Sequence, residues 1–287
     1  MTESKSSHVN IGDTRLHIVE RGSGYPIIIL HGGPGLDHHS FGDYLDKLSD
    51  QFRLILVDQR AQGLSDDCPV STWSLKQMAA DVKSLADALT LGKYAVLGHS
   101  YGSFVALQNA VDYPSAAALT IVSSGLPSAR YLEKVWENLD KFEPVELRNQ
   151  VRSSWEREKF AQTQLEVNNL LHDQLPMQFW NPFDPRIAEL ESRSAGAVNS
   201  PDVLRHFANA EYGGIDVENR LKEVAHPVLI LAGRHDRTCV VEGAQAMADG
   251  LPDSEFVVFE NSAHMTFVEE NEKYLATVRD YVVRHIQ

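Results

Sequence analysis

The chain has 287 residues, 43% of them hydrophobic and 23% charged, enough for one large globular domain or a domain with a sizeable insertion. Its formal net charge of −14 argues against nucleic acid, which is bound by Lys and Arg neutralising phosphates, and against an anionic membrane surface. Two cysteines, Cys68 and Cys239, are too few for a disulfide framework and lack metal-site spacing.

The first residues, Met1 to His8, contain no apolar segment, so no secretory leader is expected. No apolar run approaches the about 18 residues of a membrane span. The expectation is a soluble cytoplasmic protein with neither nucleic acid nor membrane as partner; oligomeric state is not readable.

In chain order, Val9–Ile11 and Leu16–Val19 flank Gly12-Asp13-Thr14 and read as a hairpin. Short apolar, β-branched runs follow at 26–30, 52–57, 94–97, 118–122, 227–231 and 256–259. Near-continuous runs of this length fit strands buried on both faces of a parallel sheet. Between two of them, Leu75, Met78, Val82, Leu85 and Leu89 recur at helical steps behind Ser74, a candidate N-cap. Near the end, Tyr274, Leu275, Val278, Tyr281 and Val282 share one helical face. Alternating strands and helices predict an α/β, doubly wound, mostly parallel sheet.

The alternation stops between about Ser128 and Ala225, where only helical patterns appear, with Trp136, Trp155 and Trp180 among them. The expected organisation is a core made of residues 1–127 and 226–287, with residues 128–225 inserted as a helical cap. The cap tryptophans, with Phe179, Phe183 and Phe207, are expected mainly to form a packed helical core, with some of them lining an apolar acyl or side-chain pocket.

Each strand of the sheet runs into a polar or glycine-rich loop, and in open α/β sheets those carboxyl ends form the ligand crevice. Three of these loops carry Gly98-His99-Ser100-Tyr101-Gly102, Asp236 and His264. Ser, then Asp, then His is the chain order of the α/β-hydrolase triad. A serine hydroxyl is a weak nucleophile until an imidazole takes its proton, and a carboxylate must fix the imidazole tautomer. Gly98 and Gly102 suit a tight strand–helix elbow with no room for Cβ atoms.

An oxyanion formed during acyl transfer requires backbone N–H donors. Tyr101, just after the nucleophile, offers one. In His31-Gly32-Gly33-Pro34-Gly35, Pro34 has no N–H, which points to Gly33 for the second. His31 and His99 read as structural. The adjacent pair His38-His39 has no third ligand placed by spacing, and no Gly-Lys-Ser/Thr follows the glycine loop. Neither metal nor cofactor is expected.

Taken together, His31-Gly32-Gly33-Pro34-Gly35, Asp58-Gln59-Arg60 with Gly63 and Ser65, and Gly98-His99-Ser100-Tyr101-Gly102 resemble the proline iminopeptidases of the α/β-hydrolase superfamily. The resemblance spans the sheet domain end to end. It implies a cap over the active site and hydrolysis of an N-terminal residue or a related amide or ester. In that group a glutamate follows the catalytic aspartate and helps hold the substrate amine; here Arg237 stands there, and a cation repels an ammonium. The elbow reads His-Ser-Tyr where those peptidases carry Gly-Ser-Trp. Glu211 is the candidate cap carboxylate for an amine, and Glu211 and Arg237 are the two candidate substrate-binding residues.

The expectation is therefore a serine hydrolase of small-molecule or short-peptide substrates, proline iminopeptidase-like, acting through Ser100, His264 and Asp236. The alternatives are a carboxylesterase or lactonase, a carbon–carbon bond hydrolase, and a ligand-binding protein that keeps the fold without turnover.

Overall fold

A computed structural model describes residues 4–286. The first two strands, β1 (Ser4–Asn10) and β2 (Arg15–Arg21), form the expected hairpin. They are followed by β3 (Tyr25–Leu30), β4 (Phe52–Val57), α1 (Leu75–Ala88), β5 (Ala95–His99), α2 (Tyr101–Asp112) and β6 (Leu119–Ser123). After a helical excursion come β7 (Val228–Gly233) and β8 (Ser254–Phe259). Among the described residues these strands make one eight-stranded sheet in the order β1-β2-β4-β3-β5-β6-β7-β8. It is parallel from β4 through β8 and antiparallel at the β1 and β2 edge.

The sheet explains the continuous apolar runs. Successive side chains of a strand point to opposite faces, so a strand covered on both sides has no polar alternation. Ile28, Leu30, Val96, Val122 and Ile230 pack on one face against Met78 and Val82 of α1 and Val105 of α2. Ile27, Ile29, Leu97, Ile121 and Leu231 pack on the other. Burial of each such side chain stabilises the fold by roughly 1.5–3 kcal/mol. Ser74 caps α1 as its position suggests, its hydroxyl accepting from the Gln77 N–H at 3.2 Å.

Between β6 and β7 lie α3 (Glu133–Asp140), α4 (Val145–Glu158), α5 (Gln164–Gln178), α6 (Arg186–Arg193) and α7 (Pro201–Ala208). Helix α5 starts with a capping box, in which Thr163 and Glu166 satisfy each other's backbone N–H groups. The two ends of the excursion meet in a short antiparallel contact, Ala129 N–H to the Ile215 carbonyl at 2.6 Å and Val217 N–H to the Pro127 carbonyl at 2.9 Å. The chain closes with α8 (Val241–Gly250), α9 (Thr266–Glu269) and α10 (Asn271–His285), whose Tyr274, Val278, Tyr281 and Val282 join the second core face.

The aromatic residues of the excursion divide between core and surface. Phe179 and Phe207 are buried, but Trp136 and Trp180 are each 45% exposed and Phe183 is 68% exposed. Trp136 and Trp155 meet edge to face at 5.6 Å and both line a cavity, while Trp155 also packs against the small core of Leu139, Phe142, Val151 and Met177. No described helix is long and apolar enough to cross a membrane.

Candidate active site

The site is built at the carboxyl ends of the strands. β5 ends at His99 and α2 begins at Tyr101, so Ser100 alone makes the turn, with φ 54° and ψ −121°. A non-glycine residue is strained there. The strain is held by crowding. A Cβ on Gly98 would lie 2.1 Å from the Gly102 carbonyl oxygen, and one on Gly102 would lie 2.2 Å from that of Leu30. The Ser100 N–H donates to the Ser123 carbonyl at 2.9 Å, tying the elbow to the neighbouring strand. Ser100 sits at the amino end of the twelve-residue α2, where the Tyr101 N–H has no helical carbonyl to bond.

Asp236 follows the end of β7, and His264 lies in the loop after β8. The His264 Nδ1–H donates to Asp236 Oδ2 at 2.8 Å. Asp236 Oδ1 accepts from the N–H of Thr238 at 2.8 Å, the Thr238 hydroxyl at 2.9 Å and the N–H of Cys239 at 2.9 Å. One carboxylate oxygen is thereby saturated and the other left to the imidazole. The Thr238 hydroxyl oxygen also lies 2.9 Å from His264 Nδ1. Having given its proton to Asp236, that hydroxyl can only accept, which favours the tautomer with hydrogen on Nδ1 and Nε2 free. The Ser124 hydroxyl donates to the His264 carbonyl at 2.8 Å.

Ser100, His264, Gly33 and Tyr101 line one cavity of about 960 Å³, which the sheet loops floor and the helical excursion walls. Among the described residues no hydrogen bond joins the Ser100 hydroxyl to His264; in unliganded serine enzymes that contact is often long and tightens around substrate. Gly33 has φ 108°, in the region open to glycine. Its loop is braced from behind by the Asp58-Gln59-Arg60 motif. The Gln59 amide donates to the His31 carbonyl at 2.9 Å, and Gln62 Oε1 accepts from the Gly35 N–H at 2.6 Å. Arg60, fully buried, forks onto Asp81 at 2.7 and 2.5 Å and onto Asp13 at 2.9 and 3.1 Å.

His31 and His99 are both buried, and burial holds each below the ordinary histidine range, so both are neutral. His38, adjacent to His39, acquires through tertiary contacts the partners that spacing did not show. Its Nδ1–H reaches Asp58 Oδ1 at 2.7 Å, and His17 Nδ1–H reaches Asp58 Oδ2 at 2.8 Å. Burial pushes the Asp58 carboxyl up, but the two histidine bonds prevail and hold it far below the usual carboxylate range. By distance, three groups could hold an ion: His17, His38 and Asp58; Asp37, His38 and His39; Asp236, Cys239 and His264. In each, the imidazole Nδ1 atoms are already committed to the carboxylates.

The two expected substrate contacts separate. Glu211 lines the cavity. Arg237 does not: its guanidinium donates to the carbonyls of Met177 at 3.2 Å, Phe179 at 2.7 Å and Trp180 at 3.1 Å, at the end of α5. The structure adds a carboxylate the sequence did not single out. Glu158 lines the cavity and accepts only neutral donors, the Tyr212 hydroxyl at 2.5 Å and the Gln174 amide at 2.7 Å. Burial pushes its carboxyl up. In sequence Glu158 looks like any solvated glutamate near a helix end.

A family model of the α/β hydrolase fold matches residues 25–271. A proline iminopeptidase of Heyndrickxia coagulans is 31% identical over 272 residues, covering 92% of this chain and 92% of that protein. The chain belongs to the α/β-hydrolase family, in its proline iminopeptidase-like group. It is a hydrolase. A proline iminopeptidase of Saccharolobus solfataricus is 28% identical, over 91% of this chain and 86% of that one. Among solved structures, an α/β-fold hydrolase from Bacillus anthracis superposes on this hydrolase with a TM-score of 0.80 at 22% identity, covering 96% and 99% of the two chains. An esterase from Exiguobacterium antarcticum does so at 0.76 and 23% identity, covering 97% and 99%. Those likenesses are of fold.

Proposed function

We propose that this hydrolase works through an acyl-enzyme on Ser100, with residues 128–225 as a cap on a core of residues 1–127 and 226–287. The carrying observation is a strained serine at a helix amino end, in one cavity with an imidazole whose Nδ1 is held 2.8 Å from a buried carboxylate. His264 Nε2 takes the Ser100 proton as Oγ attacks the scissile carbonyl. The N–H groups of Tyr101 and Gly33 receive the developing oxyanion, and Asp236 stabilises the imidazolium. The imidazolium then returns the proton to the leaving amine or alcohol. Water, deprotonated in turn by His264, cleaves the ester to free Ser100.

The substrate this reading favours is a small amide or ester with an amino terminus, as in the relatives' name. The cavity supports it with the carboxylates Glu158 and Glu211. The other reading, a carboxylesterase without aminopeptidase activity, is favoured by the lack of a carboxylate directly after Asp236, where Arg237 stands bonded to the 177–180 carbonyls outside the cavity lining. Purified enzyme is tested first by fluorophosphonate labelling: wild type is tagged at Ser100 and Ser100→Ala is not. Prolyl and other aminoacyl arylamides are then compared with short-chain p-nitrophenyl esters. Turnover of esters alone selects the second reading; absence of labelling on folded protein removes both.

A further inference from the structure

The carboxyl end of α5 touches both loops that carry the Asp–His pair. The Gln178 carbonyl accepts from the N–H of His264 at 3.0 Å and of Met265 at 3.4 Å. Glu269 bridges the same two segments: Oε1 accepts from the Trp180 N–H at 2.9 Å, and Oε2 from the Ala263 N–H at 2.7 Å. From the other loop, Arg237 donates to the carbonyls of Met177, Phe179 and Trp180. The Trp180 ring stacks on His235 at 4.7 Å with an interplanar angle of 8°, and the His235 N–H donates to the Ser262 carbonyl at 3.0 Å. Residues 177–180 are thus bonded to the residues flanking Asp236 on one side and His264 on the other.

The chemistry suits a clamp. The last carbonyls of a helix have no partner within it, and a cation is favoured at that end. A guanidinium forks across several carbonyls where an ammonium would meet fewer. Arg237 is half-buried, and its charge is drawn away from any ligand by these three acceptors. Glu269 meets two N–H donors from chain segments 83 residues apart with one carboxylate.

We propose that Met177–Trp180 is a strut through which the cap fixes the Asp236–His264 pair, with Arg237 and Glu269 as positioning residues that clamp it. The proposal rests on the triad reading above. It gives Arg237 a role in cap-to-triad registration instead of substrate recognition. A displacement of about 1 Å in a catalytic group costs on the order of 100-fold in rate, so a loosened strut should slow chemistry while leaving substrate binding near normal.

The test compares wild type, Arg237→Met, Arg237→Lys, Glu269→Gln and the double variant Arg237→Met/Glu269→Gln, with Ser100→Ala as control. Fluorophosphonate labelling rates and steady-state kinetics on p-nitrophenyl acetate are the readouts, and near-UV circular dichroism checks folding. Expected are a fall in kcat of about tenfold or more with KM within threefold, a parallel fall in labelling rate, partial recovery in Arg237→Lys, and a double variant less impaired than the product of the singles. Should Arg237→Met not fold, Arg237→Lys and Glu269→Gln carry the decision. Kinetics within twofold of wild type in the folded variants, or a KM effect with kcat unchanged, overturns the strut. A Ser100→Ala protein that is still labelled and active overturns the triad reading instead.

Discussion

Replacing Glu269 with Gln tests what its burial costs. Glu269 is 8% exposed, and burial raises its carboxyl from 4.5 to about 7 against the opposing pull of the Trp180 and Ala263 N–H groups and of Arg186. Between those two values the native chain holds a proton that the unfolded chain has lost. The native state therefore binds more protons, and this group's contribution to stability falls as pH rises through the window. Below about 4.5 there is no penalty; above about 7 it is complete, about 3.5 kcal/mol at about 1.4 kcal/mol for each pH unit. Glutamine carries no charge, so the variant lacks that slope. It also has one acceptor oxygen for two N–H donors, a pH-independent loss of about 1–3 kcal/mol. Urea unfolding of both proteins at pH 5, 6, 7 and 8, followed by tryptophan fluorescence, isolates the difference because other titrating groups cancel. Wild type should lose about 2–3 kcal/mol relative to Glu269→Gln between pH 5 and pH 8. A difference that is flat across that range, or that moves in favour of wild type, refutes the burial argument.

Asp236→Asn should lower kcat by about 10⁴-fold with KM little changed, because an amide NH₂ facing Nδ1 stabilises the wrong tautomer; stopped-time assays on the best ester or amide read it. Gly98→Ala should give little folded protein, since its methyl meets backbone atoms of Gly102 at 2.1 and 2.4 Å, whereas Gly92→Ala, with nothing within 4 Å, should match wild type in soluble yield and Tm. Tyr212→Phe removes one of the two donors to the buried Glu158 and should lower the unfolding free energy by about 1–3 kcal/mol, measured by urea titration at pH 8.

The strands and the glycine-flanked elbow at Ser100 were legible in the chain itself. A parallel sheet covered on both faces leaves no polar alternation, so runs such as Ile27–Leu30 and Leu54–Val57 announce buried strands. The elbow glycines follow from local sterics, because Gly98 and Gly102 crowd backbone within four residues of each other and against β3. Ser74 caps α1 through atoms three residues away. Such features depend on neighbours in sequence, and pattern reading reaches them.

The remainder depends on side chains meeting across long separations, where periodicity carries no information. Arg237 reads as a charge beside Asp236, and only the packed fold directs it onto carbonyls of residues 177–180. Thr238, Glu158 and Glu269 are ordinary polar residues in sequence; burial and the placement of partners 26 to 89 positions away give them their roles. The tryptophans of the helical excursion show the same limit, since a helical pattern states that a face is apolar and leaves open whether a core or a cavity receives it. Backbone sterics and apolar spacing are written locally, so the chain alone determined the sheet and the elbow. Desolvation and long-range hydrogen bonding are settled when distant segments pack, so the cavity wall and the supports of His264 were decided by the tertiary structure.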